Sequence, residues 1–210
     1  MKIEARQNLP ASRVPEAISF EEFLTLYDGQ HAELVNGRVE IIMANNLQHL
    51  MLTKFLIRLL EAYLEAHPVG QLLIASFSMW LGADKPTREP DLMIVLNEHQ
   101  ARITSTYLDG AADIAIEIVS PESVDRDYGT KFREYESAGV REYWIFDPLR
   151  QIADIHVLGE DGVYHRRTLN ASGHLTSTLL PNFELNPALL WRDPLPGGSE
   201  IMELIQAMSR

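Results

Sequence analysis

Two short apolar stretches each carry one carboxylate: "EPDLMIVL" (Glu89–Leu96) holds Asp91, and "AIEIVS" (Ala115–Ser120) holds Glu117. Each reads as a strand for the centre of a sheet covered on both faces, where a lone carboxylate is costly unless something compensates it. Side chains alternate along a strand, so Glu117 shares a face with Asp113, Ala115 and Val119, while Ile114, Ile116 and Ile118 point the other way. If the two strands are neighbours, Asp91 and Glu117 converge on one side, and two close carboxylates repel unless a proton or cation lies between them. A divalent ion such as magnesium, bound by one or two carboxylates and water, meets that demand. The competing reading has Asp91 bonding backbone amides in a turn and Glu117 paired with an Arg or Lys across the sheet.

Other residues gain meaning only beside these two. Lys131 follows Asp127 by four residues on a helix-like stretch, which by itself describes an ion pair on a solvated face worth a few tenths of a kcal/mol. Glu33 in "HAELVNG" is an acid beside two apolar residues, which by itself describes an exposed position on an edge strand. His49, near a helix start, and Arg126, with Arg133 and Arg141, are candidate phosphate contacts whose bland alternative is a solvated surface. Tyr135, and at least one of Tyr143 and Trp144, read as packing. "YHRRT" (Tyr164–Thr168) is a small basic cluster with no specific signature. No Walker-type loop, dinucleotide-binding glycine pattern or zinc-spaced His pair occurs.

The elements that must position these residues follow from periodicity and punctuation. Ser19 stands three residues before Glu22, a capping box that predicts a short helix to about Tyr27. Asn36-Gly37 between two strand-like runs predicts a hairpin. From Asn46 to about His67, apolar residues recur every three or four positions, which predicts a long amphipathic helix ended by Pro68 and Gly70. Strands are expected at "GQLLIASFSMWL", with a bend, and at "DLMIVL", "ADIAIEIVS", "REYWIFD" and "IADIHVLG". The helix "DRDYGTKFREYESAG", closed by Gly139, lies between two of them and implies a crossover with parallel pairing. After Arg150 come short strands around Asp161-Gly162 and Gly173, then "NPALLW" and a closing helix at "SEIMELIQAM".

Composition bounds the rest. A chain of 210 residues with 46% hydrophobic and 23% charged side chains is ordinary for one soluble globular domain. No cysteine is present, which excludes disulfides, thiolate nucleophiles and cysteine-built metal sites. A net charge of −12 argues against a broad basic face for nucleic acid, so any such partner requires a local patch or metal ions. "MKIEARQNLP" has no signal-peptide core, and no run nears the roughly 18 apolar residues of a membrane span, so a cytoplasmic protein with no membrane partner is expected.

The succession "ELVNG", His49 near the start of a long helix, "EPDLMIV", "AIEIVSPES" and "DRDYGTKFREYESAGVREYWIFDP" resembles the Uma-type restriction endonucleases of the PD-(D/E)xK nuclease superfamily. The resemblance runs from about Ser19 to Leu158. It implies an α/β fold with a restriction-endonuclease-like core: a central mixed β-sheet flanked by helices, with a β-hairpin and helical C-terminal extension. The expected organisation is one domain over 1–210, with the core at about 19–158 and the extension at about 159–210. The implied activity is a metal-dependent endonuclease hydrolysing DNA, with Mg2+ or Mn2+ as cofactor and homodimerisation as a family habit. Asp91 and Glu117 match the two metal-binding acids, and Glu33 matches the early acid that often adds a further ligand. Where the superfamily motif has Lys two residues after the Glu, this chain has Val119, as in the Uma-type "ExV", and Lys131 looks like a migrated lysine. His49 and Arg126 remain candidate substrate contacts. The alternatives are an inactive relative that keeps the fold as a binding or assembly module, and a dimeric structural protein whose buried acids are paired by Arg88 or Arg126.

Overall fold

The computed structural model describes residues 17–27, 30–41, 46–83 and 85–209. The opening "MKIEARQNLP" and the end of the run after Ile41 lie outside the described residues. Helix α1 (Phe20–Leu26) begins with the expected capping box: Ser19 Oγ accepts from Glu22 N, and Ser19 N donates to the Glu22 carboxylate at 2.8 Å. Strands β1 (Ala32–Val35) and β2 (Arg38–Ile41) form the hairpin. Asn36 and Gly37 turn it with φ of 51° and 74°, the left-handed pair that a two-residue hairpin requires. Helix α2 (Leu47–Ala66) starts at Asn46, whose side chain accepts from His49 N.

The run "GQLLIASFSMWL" divides into two strands that serve different sheets, β3 (Gly70–Ile74) and β4 (Ser78–Trp80). There follow β5 (Thr87–Arg88), β6 (Leu92–Leu96), β7 (Tyr107–Asp109) and β8 (Ile114–Ile118). A π-helical turn at Arg126–Thr130 leads into α3 (Lys131–Ala138), which Gly139 closes with φ of 83°. Strands β9 (Glu142–Asp147), β10 (Ile152–Leu158) and β11 (Tyr164–Arg166) complete the central sheet. The chain ends with β12 (Leu175–Thr176), β13 (Glu184–Leu185), a short 3-10 helix over Pro187–Trp191 and α4 (Gly198–Met208).

The six-stranded sheet has the order β11-β10-β9-β8-β6-β3 and is mixed: β8 and β9, joined through α3, are parallel, and the other pairs are antiparallel. A second sheet, β2-β1-β5-β4-β7, was not foreseen because β5 and β7 are too short to show a period. The two faces of the six-stranded sheet bury different partners. Ile114, Ile116, Ile118, Trp144 and Phe146 pack against α2 and against Leu180, Phe183, Leu185, Ile201 and Ile205 of the C-terminal part. Met93, Val95, Ala115, Val119, Tyr143 and Ile145 pack against Tyr135 of α3 and Met79 and Leu108 of the second sheet. Tyr143 and Trp144 of "REYWIFD" are therefore both core, on opposite faces, and Leu190 of "NPALLW" is buried against the main core. Among the described residues no helix is long and apolar enough to cross a membrane.

The C-terminal part is tied to the sheet by a polar bond set as well as by packing. Glu142, fully buried in β9, accepts from Trp144 Nε1 (2.8 Å), Ser177 Oγ (2.9 Å), Thr178 N and Thr178 Oγ1 (2.6 Å each). Removing that acceptor strands the buried indole N–H of Trp144 and takes three further bonds from the segment around Ser177 and Thr178. Glu142→Ala is expected to cost at least about 3 kcal/mol in urea unfolding, and limited proteolysis should then cut first near residues 175–185.

Candidate functional site

The site forms where β6 and β8 meet. They are antiparallel with Leu92 opposite Ile116, so the next step along the register sets Asp91 opposite Glu117 on one face. Asp91 Oδ2 accepts from Ile118 N at 2.8 Å and lies 3.1 Å from His49 Nε2. His49 is 3% exposed: in a first turn of α2 whose Leu47, Gln48 and Leu50 face solvent, it alone points inward, to Asp91, so the surface alternative does not hold. Among the described residues no protein donor reaches Asp91 Oδ1. The backbone bond read as Asp91's bland role thus coexists with a free oxygen.

Glu117 Oε1 accepts from Lys131 Nζ at 2.8 Å and from Tyr135 Oη at 2.7 Å, both on α3. Lys131 Nζ also lies 3.2 Å from Glu33 Oε1 and 3.9 Å from Asp127 Oδ1. Burial pulls the ammonium down, but Glu117, Glu33 and Asp127 outweigh it and hold Lys131 protonated well above the ordinary lysine range. Burial pushes Glu117 up to about 8, with Asp127 and Asp91 adding to the effect and Lys131 opposing it. Both partners of this ion pair shift upward because one ammonium is shared by several carboxylates and cannot compensate each in full.

Glu33 is fully buried in β1, which lies between β2 and β5 and is not an edge. Its Oε2 accepts from Arg88 Nη1 at 2.7 Å, and its Oε1 faces Lys131 and accepts from Glu89 N at 3.2 Å. Burial raises this carboxyl, yet Lys131 and Arg88 more than offset that and hold it at about 2. Arg88 gives its remaining donors to Glu134, at 2.7 and 2.9 Å, so its guanidinium is consumed.

The solvated-face reading of Asp127 and Lys131 is corrected: both are buried, at 1% and 3% exposed, because that face of the helix is turned onto the sheet. Asp127, Lys131 and Tyr135 recur every four residues, a stripe that signals one inward face and makes Tyr135 a bonding group as well as a packed one. Ser123 Oγ donates to Asp127 Oδ2, while Asp127 Oδ1 has no hydrogen-bond donor. Burial raises the Asp127 carboxyl, with Asp91 adding and Lys131 opposing. Glu89, one step before Pro90, carried no signal in the sequence; it is 5% exposed, accepts from Ser78 Oγ at 3.1 Å and leaves Oε2 without a donor. Burial, and then Glu33, push it up to about 7. Arg126 lines the same cleft with its Nε buried and unpartnered.

The cleft holds about 80 Å³ and is bounded by Glu89, Asp91, Glu117 and Asp127 together with His49, Arg126 and Lys131, room for a few waters or a partly hydrated ion. With Arg88 consumed, these four carboxyl groups and the exposed Glu122 line it against two cations, Arg126 and Lys131. That excess negative charge and the donorless buried oxygens of Glu89 and Asp127 fit a hard divalent cation with oxygen ligands. Glu33, its two oxygens engaged, does not line the cleft. Among the described residues, the group of three whose ligand atoms all lie within 4.8 Å of one another is a different one, Glu98, His99 and Asp113, at the other end of β8. There Arg141 Nη1 stands 2.8 Å from Glu98 and 3.3 Å from Asp113, so a guanidinium already compensates the acids. The "YHRRT" cations are exposed, with Arg166 on Asp154 and His165 on Asp161.

The shifted carboxyls give a pH signature. Glu33 titrates near 2 when folded against an ordinary 4.5, so its stabilisation is present above about 4.5 and is lost as pH falls toward 2. Glu33→Gln is expected to lower neutral-pH stability by about 3 kcal/mol and to flatten this acid limb in urea titrations. Glu89 and Glu117 act in the opposite sense: raised to about 7 and 8, they hold protons that the unfolded chain releases. In metal-free buffer stability should therefore decline as pH climbs from about 4.5 to 8, less steeply in Glu89→Gln.

No curated protein is significantly similar to the chain. A solved structure, described as "a putative nuclease belonging to DUF820 from Anabaena variabilis", superposes with a TM-score of 0.66 at 15% identity, covering 83% of this chain and 97% of the other, and shares its fold. The family model described as "Uma2: Putative restriction endonuclease" matches residues 20–188, and the chain belongs to that family.

Proposed function

We propose that this chain is a metal-dependent endonuclease that hydrolyses DNA phosphodiester bonds at the cleft lined by Asp91, Glu117 and Lys131. The observation that carries the reading is the meeting of Asp91 and Glu117 across the sheet register, with Lys131 Nζ 2.8 Å from Glu117. Asp91 Oδ1 and the second oxygen of Glu117 are the groups that would hold magnesium or manganese. Such an ion lowers the pKa of a bound water and polarises the scissile phosphate.

The chain's own residues prepare the rest. His49 bonds Asp91 Oδ2 and Tyr135 bonds Glu117 Oε1, so each carboxylate presents its other oxygen to the cleft. Lys131 is held protonated by three carboxylates and so takes up no proton; it keeps a fixed positive charge where negative charge develops on the phosphate. Glu33, with both oxygens engaged, fixes that ammonium between the two sheets instead of reaching the cleft. Arg126 offers a guanidinium with a buried, unmatched Nε to a phosphate oxygen. The net charge of −12 repels DNA at long range, so a cation held in the cleft would also supply local attraction.

The test incubates the protein with supercoiled and single-stranded DNA plus magnesium or manganese, beside Asp91→Ala and Lys131→Ala. The wild type is expected to nick or cut, and each variant to lose roughly 100-fold or more in rate. If all three proteins leave every substrate intact and metal produces no thermal shift, the nuclease reading fails. A metal-induced stabilisation lost in Asp91→Ala, with no cleavage by the wild type, would instead mark a binding module that keeps the site. Tyr135→Phe, which frees Glu117 to rotate, is expected to lower metal affinity by roughly 10-fold, read by calorimetry.

A further inference from the structure

Asp127 is the unexplained member of the cleft. It is 1% exposed, its Oδ2 is held by Ser123, and its Oδ1 faces no donor. A buried carboxylate oxygen with no partner costs stability, and nothing in the packing of α3 requires one there. The backbone around it is also irregular: Asp127 lies in the π-helical turn that precedes α3, a rare geometry that recurs where a helix aims a functional side chain. That turn is anchored from both sides, Asp127 N donating to Ser123 O at 2.8 Å and Tyr143 Oη donating to Asp127 O at 3.0 Å. The side chain is thus fixed, buried and directed into the cleft that Asp91 and Glu117 line.

We propose that Asp127 is the third carboxylate ligand of the metal site, binding through Oδ1, in the place that sequence pattern assigns to Glu33. Glu33 cannot serve there without releasing Arg88 or Lys131 and the Glu89 amide, whereas Asp127 Oδ1 is free and its other oxygen is already oriented by Ser123. Lys131 Nζ, 3.9 Å from Oδ1, is too far for a hydrogen bond and leaves the oxygen open to a cation. The inference rests on the metal-dependent reading of the cleft and adds a residue to it.

The test measures Mn2+ binding by the loss of the free-ion electron paramagnetic resonance signal, without DNA, for the wild type and for Asp127→Asn, Asp91→Asn and Asp113→Asn. Asp127→Asn is expected to weaken binding by roughly 10- to 100-fold, as Asp91→Asn does, while Asp113→Asn keeps wild-type affinity. Melting in EDTA separates this from a folding defect. Asp127→Asn removes a buried like charge and keeps an oxygen for Ser123, so it should melt no lower than the wild type without metal and gain less on adding Mn2+. Wild-type affinity in Asp127→Asn, with binding lost in Asp91→Asn, overturns the assignment and leaves the nuclease reading intact. Binding lost only in Asp113→Asn overturns it in favour of the Glu98–His99–Asp113 cluster. Asp127-dependent binding by a protein that cuts no DNA upholds the ligand and overturns the nuclease.

Discussion

One buried ammonium organises the centre of this molecule. Lys131 opens α3 and touches Glu117 of the six-stranded sheet, Glu33 of the five-stranded sheet and Asp127 of its own helical approach. Its removal would leave the buried Glu117 and Asp127 without their cation and Glu33 with Arg88 alone, which is far costlier than the loss of a surface pair. The consequence reaches past the site, because the lysine and Arg88 together seal the seam where β1, β8 and α3 meet. Positioning of the chemistry and cohesion of the two sheets depend on the same few ion pairs.

The cluster is nevertheless unbalanced toward negative charge. Arg88 satisfies Glu33 and Glu134 and has nothing left for the cleft, so Glu89, Asp91, Glu117 and Asp127 share Lys131 and Arg126, with His49 bonded to Asp91 and His31 3.7 Å from Glu89. Contrast the other acidic group at Glu98 and Asp113, where Arg141 closes the account locally. An acid cluster with its cation built in is finished as a structural element. One that lacks it retains a use for an ion from solution.

Much of this was legible in the chain, and the gaps have physical causes. The capping box at Ser19, the Asn36-Gly37 hairpin, the long α2 and the parallel crossover through α3 are each dictated by local signals, and each is present. Alternation along β8 correctly separated Glu117 from the isoleucines, and the register brought Asp91 opposite it. The second sheet was hidden because two- and three-residue strands carry no periodicity and are held by long-range pairing. Local charge rules misplaced Asp127 and Lys131 on a solvated face, since a four-residue spacing says which side chains share a face but not where that face points. Tyr135 on the same stripe was the available clue. Glu89 had none, as its partner Ser78 comes from a strand whose separation from β3 the sequence did not disclose.

An ammonium supplied from a helix and not from a strand sets its own demand on the geometry of the chain. Val119 is buried core, so β8 can be wholly apolar after Glu117, but the ammonium now depends on the angular phase of α3. Each residue added to or taken from the helical stretch between Val124 and Lys131 rotates that phase by about 100°, enough to swing the side chain out of the cleft. A connection that looks like an ordinary surface loop is therefore a spacer of fixed length, and the irregular turn at Arg126–Thr130 is the part of it that sets the angle.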